Sequence, residues 1–288
     1  MPSGRFFANP KDLTMRVIGI CRFSYPALGG FKRMHDTVAQ REAYLYQPAR
    51  MHLRFAHFEA LTLPSIRAQT DPDFTFLVVI GQNMPAPFLA RLHDICAPIP
   101  QIKIVQWEPM KHRLALQMAI QAELGDPAPE SLQFRLDDDD AVGVDFVQQI
   151  RLLARRSERL RRREPRMVIE FNTGYSATLT RDGILCEEVI SAFWACGLAV
   201  YFGAGDRRTI MNYGHHKLHH DMPALVMPRP PMYIRAKHTD NDSAAKFSPK
   251  DLAPMTDDQR RVFKHRFNVE EEAVKALFAA PDAPPGKG

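Results

Sequence analysis

Four consecutive aspartates, Asp137-Asp138-Asp139-Asp140, follow the apolar run Leu132-Gln133-Phe134-Arg135-Leu136. Carboxylates this close repel one another, and burial behind an apolar strand raises the cost of keeping them charged, so they need a positive partner. A divalent cation of the Mg2+ or Mn2+ kind meets that need, since these ions take one or two carboxylates together with phosphate oxygens and water. In strand geometry alternate side chains share a face, which sets Asp137 and Asp139 one way and Asp138 and Asp140 the other. A solvated acidic turn or a helix N-terminus accounts for one or two of these residues, not for four. A second cluster, His215-His216-Lys217-Leu218-His219-His220, contains pairs at the four-residue separation that binds zinc on a helix. No Glu lies between its pairs to act as a base, so a polar loop or acceptor-side surface is the reading adopted.

The elements that must carry the aspartates can be read from periodicity. Residues 15–21 form a short β-prone run, followed by a polar, Gly-containing loop to about Tyr44. Residues 49–70 place Met51, Phe55, Phe58, Leu61 and Ile66 on one helical face, with Pro64 kinking or restarting the helix. Residues 74–81 are apolar on both faces, as a central parallel strand is. A helix at 87–96, a strand at 102–107, a helix at 109–124, a strand at 131–136 and a helix at 144–163 continue the alternation. This predicts an α/β, Rossmann-type, mostly parallel sheet with helices on both faces. Ligands of such sheets sit beyond the carboxyl ends of the strands, where the aspartates fall. The second half is β-richer, with strands at 167–171, 176–180, 198–202 and 232–235 before a helical segment at 257–279. The organisation expected is an extension at 1–14, one domain at 15–280 with a donor half (15–165) and an acceptor half (166–280), and a disordered tail at 281–288.

With 288 residues, 45% hydrophobic and 25% charged, the chain has globular composition. Its net charge of +5 has a local source in Arg151, Arg155, Arg156, Arg159, Arg161, Arg162, Arg163 and Arg166. These read as a solvated helix face, with peripheral contact at the inner membrane surface as the second reading. No aromatic residues interleave with them, which argues against nucleic acid. Cys21, Cys96, Cys186 and Cys196 show no paired spacing and are expected as reduced core thiols. Residues 1–13 do not read as a secretory signal, so a cytoplasmic protein is expected. The uncharged stretch 189–205 approaches the shortest bilayer span, roughly 17 residues. Its glycines Gly197, Gly203 and Gly205 suggest instead a helix end followed by a buried strand.

Three stretches carry a resemblance. Phe134-Arg135-Leu136-Asp137-Asp138-Asp139-Asp140-Ala141 resembles the DxD region of GT-A glycosyltransferases, and more closely the form found in the bacterial "putative rhamnosyltransferase" family. Leu63-Pro64-Ser65-Ile66-Arg67-Ala68-Gln69-Thr70-Asp71 and Lys237-His238-Thr239-Asp240-Asn241-Asp242-Ser243 are similar to the same family, in order and spacing, across about residues 15–245. The resemblance implies a GT-A-like glycosyltransferase using Mn2+ or Mg2+, a nucleoside diphosphate sugar donor and a glycan, lipid-linked or small-molecule acceptor. It implies Asp139 as first metal ligand, with Asp137, Asp140 and His238 as further candidates. Arg22, Phe23, Arg67, Gln69, Asp137 and Asp138 become donor contacts; Arg235 and Lys237 balance the diphosphate; Asn241 holds a loop or touches the sugar. Arg135 is expected in an internal ion pair.

An inverting transferase also needs a carboxylate to take the acceptor hydroxyl proton. Glu170, Asp182, Glu187, Glu188 and Asp206 all lie in the acceptor half, and the sequence does not choose among them. Two other classes stay open: a nucleotidyltransferase, for which residues 22–30 are a poor version of the Gly-rich basic loop, and a non-catalytic sugar- or membrane-binding module.

Overall fold

A computed structural model describes residues 15–29, 35–238 and 252–279. The expected extension at 1–14, the tail at 281–288 and Asn241 lie outside the described residues. In chain order the elements are β1 (Arg16–Arg22), α1 (Val38–Leu45), α2 (Pro48–His57), a π-helical turn (Phe58–Thr62), α3 (Leu63–Arg67), β2 (Thr75–Gly81), α4 (Ala86–Cys96), β3 (Ile102–Trp107), α5 (His112–Leu124), β4 (Ser131–Arg135), β5 (Asp140–Val142), α6 (Phe146–Arg156) and α7 (Glu158–Arg161). There follow β6 (Arg166–Phe171), β7 (Thr173–Thr180), β8 (Gly183–Ile190), β9 (Leu198–Phe202), α8 (Leu218–Asp221), β10 (Ala224–Met227), β11 (Tyr233–Ala236), β12 (Ala253–Pro254), α9 (Asp257–Phe267) and α10 (Glu271–Ala279).

Seven strands form the main sheet in the order β10-β6-β9-β4-β1-β2-β3. All run parallel except β9, which lies antiparallel between β4 and β6. This is the α/β, mostly parallel sheet that the alternation predicted. Because β1 and β2 are buried on both faces, they carry unbroken apolar runs and not a polar alternation. Side chains of β1, β4, β6 and β9 point alternately into two apolar layers. One holds Cys21, Phe134, Ile169 and Tyr201. The other, against α5, holds Ile20, Val168, Leu198 and Val200.

A second sheet, β12-β8-β7-β11-β5, covers a third layer with Phe263, Phe267 and Val274 of the last two helices. β5 was not expected; it emerges directly from the acidic run and pairs with β11, Asp140 against Arg235. Each sheet draws strands from both halves of the chain.

The helix expected over 49–70, kinked or restarted at Pro64, runs as three segments, because the ring of Pro64 removes a backbone donor and crowds the carbonyl four residues before it. A π-helical turn absorbs this, with the Leu63 N–H donating five residues back to Phe58 O. The loop expected up to Tyr44 contains α1, opened by a reciprocal cap between Thr37 and Gln40. The expected 144–163 helix breaks at Ser157 into α6 and α7. The expected 257–279 helix turns at Asn268, left-handed at φ 56°.

The solvated arginine face also needs correction. Arg151 is buried and donates to Asp71 and to the Met15 and Asp73 carbonyls. Arg161 reaches Glu130 and lies over the Tyr201 ring, and Arg166 pairs with Asp206. Arg156, Arg159, Arg162 and Arg163 are the exposed members. All four cysteines are buried and free. Among the described residues no helix is long and apolar enough to cross a membrane, and residues 189–205 run from the end of β8 through a 3-10 turn into β9.

Candidate functional site

At the carboxyl edge of β4 the chain turns sharply, with the Asp140 N–H donating back to Asp137 O at 3.1 Å. The run is therefore a turn and not a strand, and the expected two-and-two alternation of its side chains does not hold. Asp137, Asp139 and Asp140 instead bring one carboxylate oxygen each to within 4.8 Å of one another, Asp137 exposed and the other two buried. Thr62, carried by the π-helical turn, donates its hydroxyl to Asp140 O at 2.8 Å and so fixes the turn from below. Asp140 accepts from the Ala236 N–H at 3.1 Å.

Asp138 faces the other way, into the protein. It is 1% exposed and pairs with Arg54 of α2, whose Nε donates at 3.0 Å. The same guanidinium reaches Asp139 Oδ2 at 3.2 Å. His238 Nε2 lies 2.7 Å from that oxygen, and its ring packs on His57 with centroids 4.4 Å apart. Thus His238 contacts one member of the carboxylate group, Asp139. His57 bonds Leu53 O through Nδ1 at 2.9 Å, and burial pushes it down to about 4, so it is neutral.

The electrostatics divide the aspartates. Burial alone would raise Asp139, but Arg54 and His238 outweigh it and hold the carboxyl well below the usual range. Burial and the neighbouring Asp139 and Asp137 push Asp140 well up, against Arg235 and the Ala236 N–H. Three hard carboxylate oxygen donors crowded together, whose charges oppose one another, are the donor set that a divalent cation fits.

Several expected contacts sit elsewhere. Phe23 is wholly buried between Phe55 and Phe58, a core side chain. Gln69 is spent on structure, donating to Ser65 O and Gly143 O and accepting from the Val147 N–H, so it locks α3 to the start of α6. Arg67 is exposed at the end of α3, beside that lock. Arg22 does reach the carboxyl edge, at the end of β1. Arg135 has no ion pair among the described residues; burial lowers it, Asp137 raises it, and Arg22 and Arg113 oppose it. The histidines 215–220 span a 3-10 turn and α8 and so do not share one helical face.

The candidate carboxylates of the second half of the chain separate clearly. Asp182 is exposed at the tip of the β7–β8 hairpin. Asp206 follows the antiparallel β9, which returns it to the amino edge of β4, where it pairs with Arg166 and Arg208. Glu187 is half-buried, whereas Glu188 is exposed and pairs with Arg229. Glu170 ends β6 at the same edge as the aspartates, two strand spacings or roughly 10 Å from β4. It is 1% exposed; Oε1 accepts from the Phe193 N–H and Oε2 has no partner. Burial raises its carboxyl.

Residues 16–250 match the family described as "Putative rhamnosyl transferase". The chain belongs to this rhamnosyl transferase family. No curated protein matches its sequence. Among solved structures the family member is similar to residues 1–349 of S. aureus TarS, at 11% identity and TM-score 0.40, over 77% of this chain and 60% of that one. The same TarS fragment in complex with UDP-GlcNAc matches at 13% identity and TM-score 0.39, over 92% and 72%. The 4-diphosphocytidyl-2C-methyl-D-erythritol synthase of Anaerococcus prevotii matches at 11% identity and TM-score 0.35, over 77% and 90%. The chain thus spans about three fifths of the first of these relatives.

Sequence reasoning missed Arg54 and His57. The signal for Arg54 was present: it sits three residues after Met51 and four before Phe58, on the apolar face of its helix. A charge in that position demands a buried counter-charge.

Proposed function

We propose that this protein is a metal-dependent glycosyltransferase that moves a sugar, rhamnosyl by the family's description, from a nucleoside diphosphate sugar to a hydroxyl of a glycan, lipid-linked or small-molecule acceptor. The observation that carries this is the convergence of Asp137, Asp139 and Asp140 at the carboxyl edge of the parallel sheet, in a chain of this family. Those three carboxylates would hold Mn2+ or Mg2+, which supplies charge neutralisation to the departing diphosphate. Arg54 keeps Asp139 ionised and aimed, and His238 fixes its Oδ2. Arg235 and Lys237, both over the Trp194 ring, stand beside the turn as further positive charge for the phosphates.

Glu170 is the carboxylate best placed to take the acceptor proton. Its unpartnered Oε2 lies at the correct edge, and its raised carboxyl suits a group that must accept a proton and then release it. Attack of the hydroxyl oxygen on the anomeric carbon breaks the bond to the diphosphate, and the hydroxyl proton passes to Glu170.

The test is a panel of UDP-, GDP- and dTDP-sugars with Mn2+, following release of nucleoside diphosphate. Slow donor hydrolysis that is lost in Asp139→Asn is the expected result. Release of pyrophosphate in its place would identify a nucleotidyltransferase. No turnover of any donor, with Asp139→Asn indistinguishable from the parent, would remove the transferase reading.

A further inference from the structure

The outward arginines of α6 and α7 take no part in holding the fold. On the inward side, Arg151 ties α6 to the starts of β1 and β2 through the Met15 and Asp73 carbonyls, and Arg161 ties α7 to Glu130, just before β4. Arg156, Arg159 and Arg163 are exposed and make no ion pair among the described residues. Arg162 is exposed too and pairs with Glu158 at 2.7 Å. Helical hydrogen bonds run on through the break at Ser157, whose N–H donates to Leu153 O at 3.1 Å and whose carbonyl accepts from the Arg161 N–H at 3.0 Å. Spacings of three and four residues therefore set Arg156, Arg159, Leu160 and Arg163 on one outward face. Leu160 is left 36% exposed among these cations.

This face stands at the amino edge of the main sheet, since Glu130 leads into β4 and the Gly203 N–H donates to Pro165 O just before β6. β4, five residues long, puts roughly 17 Å between that edge and the acidic turn. Solvation alone does not ask for such a composition, because a soluble surface intersperses both signs of charge. Here the exposed arginines face only Glu158, already engaged by Arg162, and Glu164. An apolar side chain among unpaired cations is what an anionic lipid interface fits: headgroups hold the charges, and the alkyl group reaches the boundary with the acyl chains. The long arginine stems can lie along that boundary while their heads stay in water. The face carries no aromatic ring, so it has no platform on which nucleic-acid bases could stack.

We propose that the amino pole of the molecule, through Arg156, Arg159, Leu160, Arg162 and Arg163, docks on a bilayer surface that carries anionic phospholipid headgroups. The carboxylate turn, at the opposite edge, then opens away from the lipid, and a substrate reaches Asp137, Asp139 and Asp140 from the aqueous side. The attachment is peripheral and electrostatic, with Leu160 as its apolar contact. It holds whatever reaction the carboxylate edge performs.

The experiment is co-sedimentation of the full chain with phosphatidylcholine vesicles prepared with and without phosphatidylglycerol. Binding to the anionic vesicles alone is expected, falling steeply as salt rises. Arg159→Ala and Arg163→Ala should each weaken it about fivefold, the worth of one cation near an anionic surface, and together about twenty-five-fold. Both positions are exposed, so the variants should melt as the parent does. Arg159→Lys combined with Arg163→Lys should retain most of the binding, because a headgroup layer attracts the charge and does not select the planar fork. Leu160→Asp should weaken it more than the loss of one arginine, since it removes the apolar contact and adds a repelled charge. Arg113→Ala, exposed where α5 begins at the opposite edge, is the charge control and should bind as the parent does. No vesicle binding at low salt, equal binding to neutral vesicles, equal weakening by Arg113→Ala, or loss of binding in the double lysine variant overturns the proposal. Tighter binding of an RNA duplex than of anionic vesicles, at equal phosphate concentration, also overturns it and assigns the face to nucleic acid.

Discussion

Arg54 shows how one side chain can decide what four neighbouring aspartates do. Its guanidinium takes Asp138 out of the site and holds one oxygen of Asp139, leaving the remaining carboxylates to converge. Arg54→Met would strand Asp138 as a buried, uncompensated charge, and the expected loss is about 3–5 kcal/mol in urea unfolding at pH 7. Adding Asp138→Asn to that variant should restore much of the loss; if the double variant is no more stable than the single one, the pair is not what holds the turn. Mn2+ is expected to raise the melting temperature, and Asp139→Asn to remove that rise, because a ligand stabilises only the state that binds it. At this scale the aspartates were legible, since four carboxylates behind an apolar run demand a counter-charge. Their division of labour was not, because Arg54 lies 84 residues away and its partner is fixed only when α2 packs on the sheet.

The elements were legible wherever burial imposes a period. β1, β2, β4, β6 and β9 fall close to the expected runs, because strands buried on both faces cannot hide their apolar character, and the half-exposed edge strand β3 is legible from Ile102, Ile104 and Val105. β5 escaped since its three residues begin inside the acidic run, and β8 because Glu187 and Glu188 interrupt its pattern near an edge. The roles expected of Phe23 and Gln69 failed for a related reason: each lies near the correct strand end or helix end, but sequence position does not say which face a side chain takes. Gly19 shows how tightly the sheet is packed. A Cβ built there would meet the rings of Phe134 at 2.3 Å and Phe76 at 2.5 Å. Gly19→Ala is therefore expected to destabilise by at least the 1–3 kcal/mol typical of overpacked cores, read as a lowered melting temperature. A variant that melts with the parent would mean that the two rings move aside at little cost.

Across the whole molecule, three buried or half-buried histidines on separate elements tie stability to pH. Burial lowers His57 to about 4, His215 to about 4 and His112 to about 3, from an ordinary value near 6.5. Unfolding exposes them, and the unfolded chain binds protons that the folded one refuses once the pH drops below about 6.5. Stability is then complete above that value and is lost as the pH falls toward 4, by up to about 1.4 kcal/mol per pH unit for each histidine, with less from the partly exposed His112 and His215. The urea midpoint should fall between pH 7 and pH 5, and His57→Phe should flatten the fall; a midpoint constant over that range would contradict the assignment. The topology that unites these elements has a further consequence, for anyone recombining this chain with its relatives. β6 and β9 complete the sheet to which β1–β4 belong, while β5 leaves the first half of the chain to close the sheet of β7 and β11. A crossover near residue 165 would therefore exchange strands of both sheets at once. The two halves of the chain cannot be swapped as cassettes at that point; chimeras that keep their fold will be those whose breakpoints carry β4, β5, β6, β9 and β11 from a single parent.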